Sequence, residues 1–433
     1  MRKKSISILI CIILIIPLVL ISIYKIDTST KNNFHVGNVA LNKKISKSKV
    51  KKDCSLLIDT LEKTHPIFLD GFTTDYLAAK NKFIEECDRR MTIGEFQLYI
   101  SEYMSSLRDA HTGVIWSESS YLDINWKYKN CKLVLLDNEG IATNDVVTHI
   151  NNIKIEDIIK IVDKVSPAEN IIARDINIEV MSKEELVLTY SGVDCSKDVY
   201  LTIKTRDNIK KVKVDFKYPK NNQENKSNIY SKKLNDTIYV KLGICEINDD
   251  LNNVISMLKK SLNYINNVII DIRDNPGGNS DACKMLLEAM NIKPGEFGGV
   301  KRYSPLAKSI YPDYKNEGYE ILSRNNNVIK NEAINLYVIV NEYTFSSAQW
   351  MATWVKDGSL GLLIGTPLVN NPNSYGDILP FELPNSKLKI SIPHVKWLRP
   401  DSTKDKENVL TPDVYIKEGE DPLEVTLKII NEK

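Results

Sequence analysis

The spacing of apolar and polar residues changes along the 433-residue chain and predicts parts of different architecture. In residues 50–120 apolar positions recur at helical spacing, which predicts a helical domain. Thr92 followed by Glu95 matches the capping box of a helix that begins there. In residues 125–218 short runs rich in β-branched residues alternate with turn signals, and one helical pattern lies between them. This predicts a small mixed β domain.

From residue 230 to residue 433, apolar runs of strand length alternate with helical patterns. The short run VIIDI (268–272) is apolar except for Asp271, which is typical of a parallel strand buried on both faces. LYVIV (336–340) has the same character and also precedes a helical pattern. The alternation of strands and helices predicts an α/β fold for this last domain.

The N-terminus carries the longest apolar run of the sequence, ISILICIILIIPLVLISIY (6–24), preceded by Arg2, Lys3 and Lys4. The run is longer than the apolar region of a secretory signal and lacks a small-residue cleavage pattern. It is long enough to cross a bilayer as a helix. We therefore expect a single-pass membrane anchor over residues 1–25 and a polar linker over 26–49. The positive charge before the span predicts a cytoplasmic N-terminus and an extracytoplasmic body.

Composition excludes several classes of protein. Hydrophobic residues make up 42% and charged residues 26%, as in soluble globular proteins, which excludes a disordered chain, a collagen-like repeat and a polytopic membrane protein. The net charge is +2, but residues 1–52 hold 11 Lys and Arg and one acidic residue, so the rest of the chain is mildly acidic. No nucleic-acid partner is expected. The seven cysteines are scattered and predict no disulfide framework, although a Cys54–Cys87 bridge is left open.

Two loops each follow a predicted buried strand and precede a predicted helix. DIRDNPGGN (271–279) contains Gly277 and Gly278, whose backbone N–H groups suit a phosphate or an oxyanion, unless the loop is a plain Pro-Gly turn. It contains no phosphate-binding motif. In TFSSAQ (344–349), Ser346 is either a helix cap or a nucleophile.

A nucleophile needs a base, and His111 is the best candidate. Of the five histidines it lies in a polar turn, where a titrating imidazole is most useful. A late acidic loop, residues 401–407, could orient its ring. Together these segments supply a nucleophile, a base, oxyanion donors and an acid.

The strand–DIRDNPGGN–helix segment, TFSSAQ and the late Pro412-Asp413 resemble the tail-specific (C-terminal processing) serine peptidase family. The resemblance implies a crotonase-like (ClpP/crotonase-type) α/β catalytic core with an N-terminal helical domain. It also implies a degenerate PDZ-like domain over 125–218, in which Asn144 stands where the family usually has glycine.

Many members of the family use a Ser–Lys dyad, with the lysine at the position that Asn371 occupies here; no lysine lies between Lys356 and Lys387. The branch with chlamydial protease-like activity factor and the tricorn core instead uses His, Ser and Glu, and LRDAHT (107–112) matches its L-x-D-x-H segment. For this chain the resemblance implies the following site: nucleophile Ser346, base His111, acid Glu407 with Asp405 and Asp401 as alternatives, and oxyanion donors Gly277, Gly278 and Ser347. It implies no metal and no cofactor. Gln349 stands where the family usually has glutamate.

The sequence thus predicts a membrane-anchored, extracytoplasmic serine endopeptidase that acts on protein or peptide substrates. One alternative is a catalytically inactive module that binds peptides at the membrane. Another, an acyl-CoA-handling crotonase-like enzyme, explains the fold and the Gly-Gly loop but not an extracellular location. The oligomeric state is not predicted.

Overall fold

A computed structural model describes residues 35–37, 39–117, 119–218 and 228–432. The predicted membrane anchor over residues 1–25 lies outside these ranges. Every helix within them is too short or too polar to span a bilayer.

The N-terminal part consists mainly of three helices that pack through apolar stripes. Thr92 and Glu95 form the predicted capping box at the start of the third helix. Lys47 and Lys51 of the first helix both bind Asp88 at 2.9 Å, so the end of the predicted linker is engaged in the fold. The elements are β1 (His35–Gly37), β2 (Lys44–Ile45), α1 (Lys47–Thr64), a 3-10 helix (Pro66–Asp70), α2 (Thr74–Glu86), β3 (Met91–Thr92), α3 (Ile93–Ser105) and β4 (Gly113–Ser117). The predicted linker therefore ends in β2 and the first residues of α1.

The middle part is a mostly antiparallel sheet with helices, as its alternating pattern predicts. Its strand order is β11-β10-β8-β7-β6, with β9 beside β8. Its buried residues form one continuous cluster with those of the N-terminal helices. The elements are β5 (Tyr121–Leu122), β6 (Trp126–Lys129), β7 (Lys132–Leu136), β8 (Ala142–Ile150), β9 (Ile153–Lys154), α4 (Ile155–Val165), α5 (Ile171–Met181), α6 (Glu185–Tyr190), β10 (Val199–Lys204), β11 (Ile209–Val214) and β12 (Phe216–Lys217).

The C-terminal part contains a six-stranded sheet with the order β13-β14-β15-β18-β19-β22, in which only the β13–β14 pair is antiparallel. The elements are β13 (Ile229–Leu234), β14 (Thr237–Leu242), α7 (Asp249–Ser261), β15 (Asn267–Asp271), α8 (Ser280–Ala289), β16 (Gly298–Arg302), α9 (Pro305–Ile310), β17 (Tyr319–Leu322), β18 (Asn335–Val340), α10 (Ser347–Gly358), β19 (Leu362–Gly365), β20 (Ser374–Glu382), β21 (Lys389–Leu398), a second 3-10 helix (Ser402–Lys404), β22 (Val414–Tyr415) and α11 (Pro422–Asn431).

Helices cover both faces of this parallel sheet. In β15 all five residues are buried. Val268 and Ile270 face the cluster that includes α7, α8 and α10, while Ile269 faces the smaller cluster with α11. Burial on both faces explains why three apolar residues follow one another in the middle of the strand. The carboxyl ends of β15 and β18 lie side by side, and parallel sheets usually place their sites at such an edge.

A second sheet, β1-β4-β21-β16-β17 with β20 beside β21, joins the N-terminal helices to the C-terminal part. Strand β4 follows α3 closely and pairs with β21, with Gly113 opposite Ser391. The turn between α3 and β4 is therefore held against the C-terminal part although it is distant in sequence.

Candidate active site

Ser346 lies in the loop between β18 and α10 with a strained backbone, at φ 52° and ψ −123°. Positive φ is rare for a residue with a side chain, and such strain persists only where the surroundings fix it. Here the N–H of Ser346 donates to Oδ1 of Asn370 at 3.0 Å, and the N–H of Phe345 donates to the carbonyl of Asn275 at 2.9 Å. The Ser346 side chain makes no capping hydrogen bond to α10, so the helix-cap alternative is wrong.

His111 lies in the turn between α3 and β4 and reaches this serine across 235 positions of sequence. Its Nε2 atom is 3.2 Å from Oγ of Ser346. The Ser391 hydroxyl donates to the His111 carbonyl at 2.7 Å, and the ring stacks on Phe345 with 4.7 Å between ring centroids. The structure thus brings together the two residues that the sequence proposed as base and nucleophile.

Asp109 provides the buried charge beside this histidine. Its Oδ1 atom accepts the backbone N–H of His111 at 3.1 Å and lies 3.9 Å from the Nδ1 ring atom. Its other oxygen, Oδ2, accepts from the Thr112 hydroxyl and lies 3.2 Å from Nε2 of His65. Because the N–H of Ile67 donates to Nδ1 of His65, the hydrogen of that ring is on Nε2 and points to Asp109.

Glu169 is the second carboxylate near the ring. Oxygen atoms of Glu169 and Asp109 and a ring nitrogen of His111 all lie within 4.8 Å of one another. Within the described residues, the spacing of these three side chains is close enough to hold a metal ion. The carboxylate oxygens of both residues also accept hydrogen bonds from the protein.

The two carboxylates have different protonation behaviour. Burial alone would raise the pKa of Asp109, but the hydrogen bond from His65 and the nearby His111 hold that pKa below its ordinary value. Burial and the charge of Asp109 raise the pKa of Glu169 to about 8. Burial also lowers the pKa of His111, against the opposing effect of Asp109. At neutral pH the arrangement is therefore a neutral imidazole beside one ionised carboxylate, that of Asp109.

The structure does not place the predicted orienting acid, Glu407, on His111. The Glu407 carboxylate accepts from Nη1 of Arg399 at 2.8 Å, and Asp405 pairs with Arg324 at 2.7 Å. Asp401 caps the second 3-10 helix through the N–H of Thr403. All three acids are thus engaged by groups other than His111. The expectation that one of them holds the imidazole is wrong, and the carboxylate beside Nδ1 of His111 is that of Asp109, 3.9 Å away.

The Gly-Gly loop packs directly against the serine. A Cβ atom on Gly277, where φ is +98°, would lie 2.6 Å from Cβ of Ser346 and 2.9 Å from N of Ser347. The hydroxyl of Ser347 donates to the carbonyl of Gly278 at 2.7 Å, which ties the two loops together. The N–H of Gly277 donates to Oδ1 of Asn275 at 2.8 Å, so that donor is already used, in contrast to the prediction. Because Gly277 has no side chain, the space beside Ser346 and the N–H of Ser347 stays open.

Residues 236–416 match the model of peptidase family S41. This part of the chain belongs to peptidase family S41. The predicted resemblance to the tail-specific serine peptidases is confirmed, and the chain is a serine-type peptidase. No curated protein matches the chain.

Solved structures of mature CPAF have the same fold as this chain. One is similar with a TM-score of 0.62 and 12% sequence identity, over 85% of this chain and 92% of that chain. Mature CPAF complexed with lactacystin gives a TM-score of 0.63 and 12% identity, over 89% of this chain and 97% of that chain. The photosystem II D1 C-terminal processing protease aligns more loosely, over 87% of this chain and 94% of that chain, with 13% identity and a TM-score of 0.45.

Sequence reasoning missed two residues of this S41 site. Asp109 lies within the LRDAHT segment, two residues before His111, so a local signal for it is present in the sequence. Glu169 lies in SPAEN (166–170), which carries no local motif, and only the fold shows its position. Gln349 is buried, and neither of its side-chain polar atoms has a hydrogen-bond partner within the described part of the chain.

Proposed function

We propose that this S41 peptidase is a membrane-anchored, extracytoplasmic endopeptidase that cleaves peptide bonds through an acyl-enzyme on Ser346. The observation that carries the proposal is the 3.2 Å approach of the His111 Nε2 atom to the hydroxyl of a serine with strained backbone. A base within hydrogen-bond reach is what a weak hydroxyl nucleophile requires.

In the first step, Oγ of Ser346 attacks the peptide carbonyl carbon while its proton moves to Nε2 of His111. The new C–O bond gives a tetrahedral oxyanion. Its collapse breaks the C–N bond, and His111 returns the proton to the leaving amine. Water then attacks the ester with His111 again as base, which releases the second product and restores the serine.

Asp109 has the role of stabilising the imidazolium that forms in both halves of the reaction. It is fully buried and its pKa is held below the ordinary range, so it stays ionised beside Nδ1 of His111. In water-poor surroundings a fixed charge at this distance has a larger effect than in bulk solvent. Nδ1 of His111 has no hydrogen-bond partner within the described residues, which leaves it available to Asp109 when the ring becomes charged.

For the oxyanion, the backbone N–H groups of Ser347 and Gly278 are the proposed donors. Ser347 is the first residue of α10, where backbone N–H groups lack partners inside the helix. Gly277 keeps the space in front of this N–H open, because any side chain there would collide with Ser346 and Ser347. Donors of this kind stabilise the charge that develops in the transition state.

A digestion experiment tests the peptidase proposal. The full-length protein is incubated with an unfolded protein substrate, and new peptide ends are identified by mass spectrometry. We expect internal cleavage by the wild type and none by Ser346→Ala. Equal digestion by the two proteins would contradict the assignment of Ser346. Cleavage confined to the ends of the substrate would contradict an endopeptidase.

The membrane location is proposed from the apolar run at residues 6–24 and the positive charges before it. Cys131, which is exposed in the turn between β6 and β7, offers a direct test. A membrane-impermeant maleimide should label it on intact cells, and Cys131→Ser should remove that label. Labelling that requires lysis of the cells would contradict an extracytoplasmic body.

We also propose the division into a helical domain (50–120), a PDZ-like domain (125–218) and a crotonase-like core (230–433). The antiparallel sheet packed against α4 supports the PDZ-like assignment, and the parallel sheet with helices on both faces supports the core. The continuous cluster between the first two parts predicts that they unfold together.

A further inference from the structure

Glu169 connects the loop of His111 to the segment that holds Ser346. Its Oε2 atom accepts from Nδ2 of Asn370 at 2.6 Å and from the backbone N–H of Asn371 at 2.7 Å. Its Oε1 atom accepts the N–H of Ala110, the residue before His111, at 3.2 Å. One carboxylate therefore bonds to both sides of the candidate site.

The bond to Asn370 extends this connection to the nucleophile itself. Asn370 is fully buried, and its Oδ1 atom accepts the N–H of Ser346 at 3.0 Å. Because Nδ2 of the same amide donates to Glu169, the orientation of the amide is fixed and its oxygen points to Ser346. The unusual backbone of Ser346 needs such a constraint, since a positive φ relaxes when its surroundings permit.

We propose that Glu169 is a positioning residue that sets the separation between the Ser346 hydroxyl and the His111 ring. It does so by holding the amide of Asn370 on one side and the backbone of Ala110 on the other. The inference rests on the proposed function, in which Ser346 is the nucleophile and His111 the base. Glu169 lies between α4 and α5, outside the segment that matches the family, so the middle part of the chain completes the geometry of the S41 domain.

The first test compares full-length Glu169→Ala and Glu169→Gln with the wild type. The readouts are the rate of Ser346 labelling by a fluorophosphonate, together with kcat and KM on a peptide substrate. We expect Glu169→Ala to lower the labelling rate and kcat by about 10²-fold, the order that a displacement of about 1 Å causes, with KM unchanged. Glu169→Gln should recover much of this loss, because its amide oxygen still accepts from Asn370 and Asn371.

The second test reverses the polarity of one hydrogen bond and does not depend on the alanine variant folding. At a pH well above the Glu169 pKa of about 8, Asn370→Asp places a second ionised carboxylate against Glu169 and removes the donor, so labelling should slow. Combining it with Glu169→Gln supplies a new donor from the other side, while the introduced carboxylate can still accept the N–H of Ser346. The double variant should therefore react faster than Asn370→Asp alone. If the losses in labelling rate of the two single variants simply add in the double variant, the proposal is wrong.

Glu62→Ala serves as the matched control. Glu62 is also a partly buried glutamate that accepts two hydrogen bonds, from Tyr76 and Lys80, but it lies on α1. It should lose stability without losing labelling rate. If Ser346→Ala abolishes labelling while Glu169→Ala reacts as fast as the wild type, this inference is wrong and the proposed function stands. If Ser346→Ala is still labelled, the proposed function itself fails.

Discussion

Oδ1 of Asp109 lies 3.9 Å from Nδ1 of His111, while the other nitrogen of that ring faces Ser346. The carboxylate also receives hydrogen bonds from Thr112 and, in the tautomer set by Ile67, from His65. Hydrogen bonds from these two side chains stabilise the buried negative charge of Asp109. Asp109, two residues before the base, thus occupies the position that the sequence had given to the late acidic loop.

Asp109→Asn tests this assignment. The amide keeps the shape of the side chain but removes the charge that stabilises the imidazolium, so kcat should fall by about 10²–10⁴-fold. Peptide hydrolysis at neutral pH measures the effect. Glu407→Gln is the comparison variant, and it should keep the wild-type kcat because Glu407 binds Arg399. A loss in Glu407→Gln with full activity in Asp109→Asn would reverse the assignment.

The pH dependence of kcat/KM reports on His111. The base must be neutral to accept the Ser346 proton, so activity is lost as the pH falls through the His111 pKa. Burial lowers that pKa, which places the acid limb below the ordinary histidine value of about 6.5. In Asp109→Asn the limb should move to still lower pH, because a negative charge that favours the protonated ring is gone. A shift to higher pH in this variant would contradict the account.

Gly277→Ala tests the close contact between the glycine loop and the serine. The added Cβ would meet Ser346 and the N–H of Ser347, so the rate of fluorophosphonate labelling should fall by about 10²–10³-fold, as for the loss of an oxyanion donor. Gly318→Ala is a matched control: φ is +97° there, against +98° at Gly277, but the added atom has nothing within 4 Å. Equal losses in the two variants would show that backbone strain alone is responsible.

The ion pairs of Arg399 with Asp357 and Glu407 contribute to stability rather than to catalysis. Arg399 and Asp357 form an ion pair in which both side chains are 0% exposed, and Glu407, 50% exposed, adds a second contact to the arginine. Asp357→Asn should lower the free energy of unfolding by about 3–5 kcal/mol, because a buried charge loses its partner. Glu407→Gln should cost about 1 kcal/mol or less. Denaturant unfolding measures both, and equal costs would contradict this ranking.

Much of the catalytic part could be predicted because its sequence carries local physical signals. The valine and isoleucine residues of VIIDI and LYVIV lie on both faces of their strands because helices cover both sides of the sheet, and the two runs correspond to β15 and β18. The pairing of His111 with Ser346 was predicted from the resemblance of two short segments, LRDAHT and TFSSAQ, to one branch of the tail-specific serine peptidases, and not from any long-range information in the residues themselves.

The errors have equally specific causes. Glu407 was chosen for its position in the chain, but the buried guanidinium of Arg399 attracts it more strongly than a neutral imidazole can. Helices α5 and α6 were not predicted, nor was the role of Glu169 between α4 and α5. Its three hydrogen bonds go to Ala110, Asn370 and Asn371, which are 59, 201 and 202 positions away, so no window of sequence contains the information.

Covalent labelling of the full-length protein by a fluorophosphonate, followed by peptide mapping, tests the central claim most directly. The account predicts one modified residue, Ser346, no labelling of Ser346→Ala, and greatly slowed labelling of His111→Ala. Modification of a different residue, or undiminished labelling after either substitution, would contradict the pairing of Ser346 with His111 as nucleophile and base.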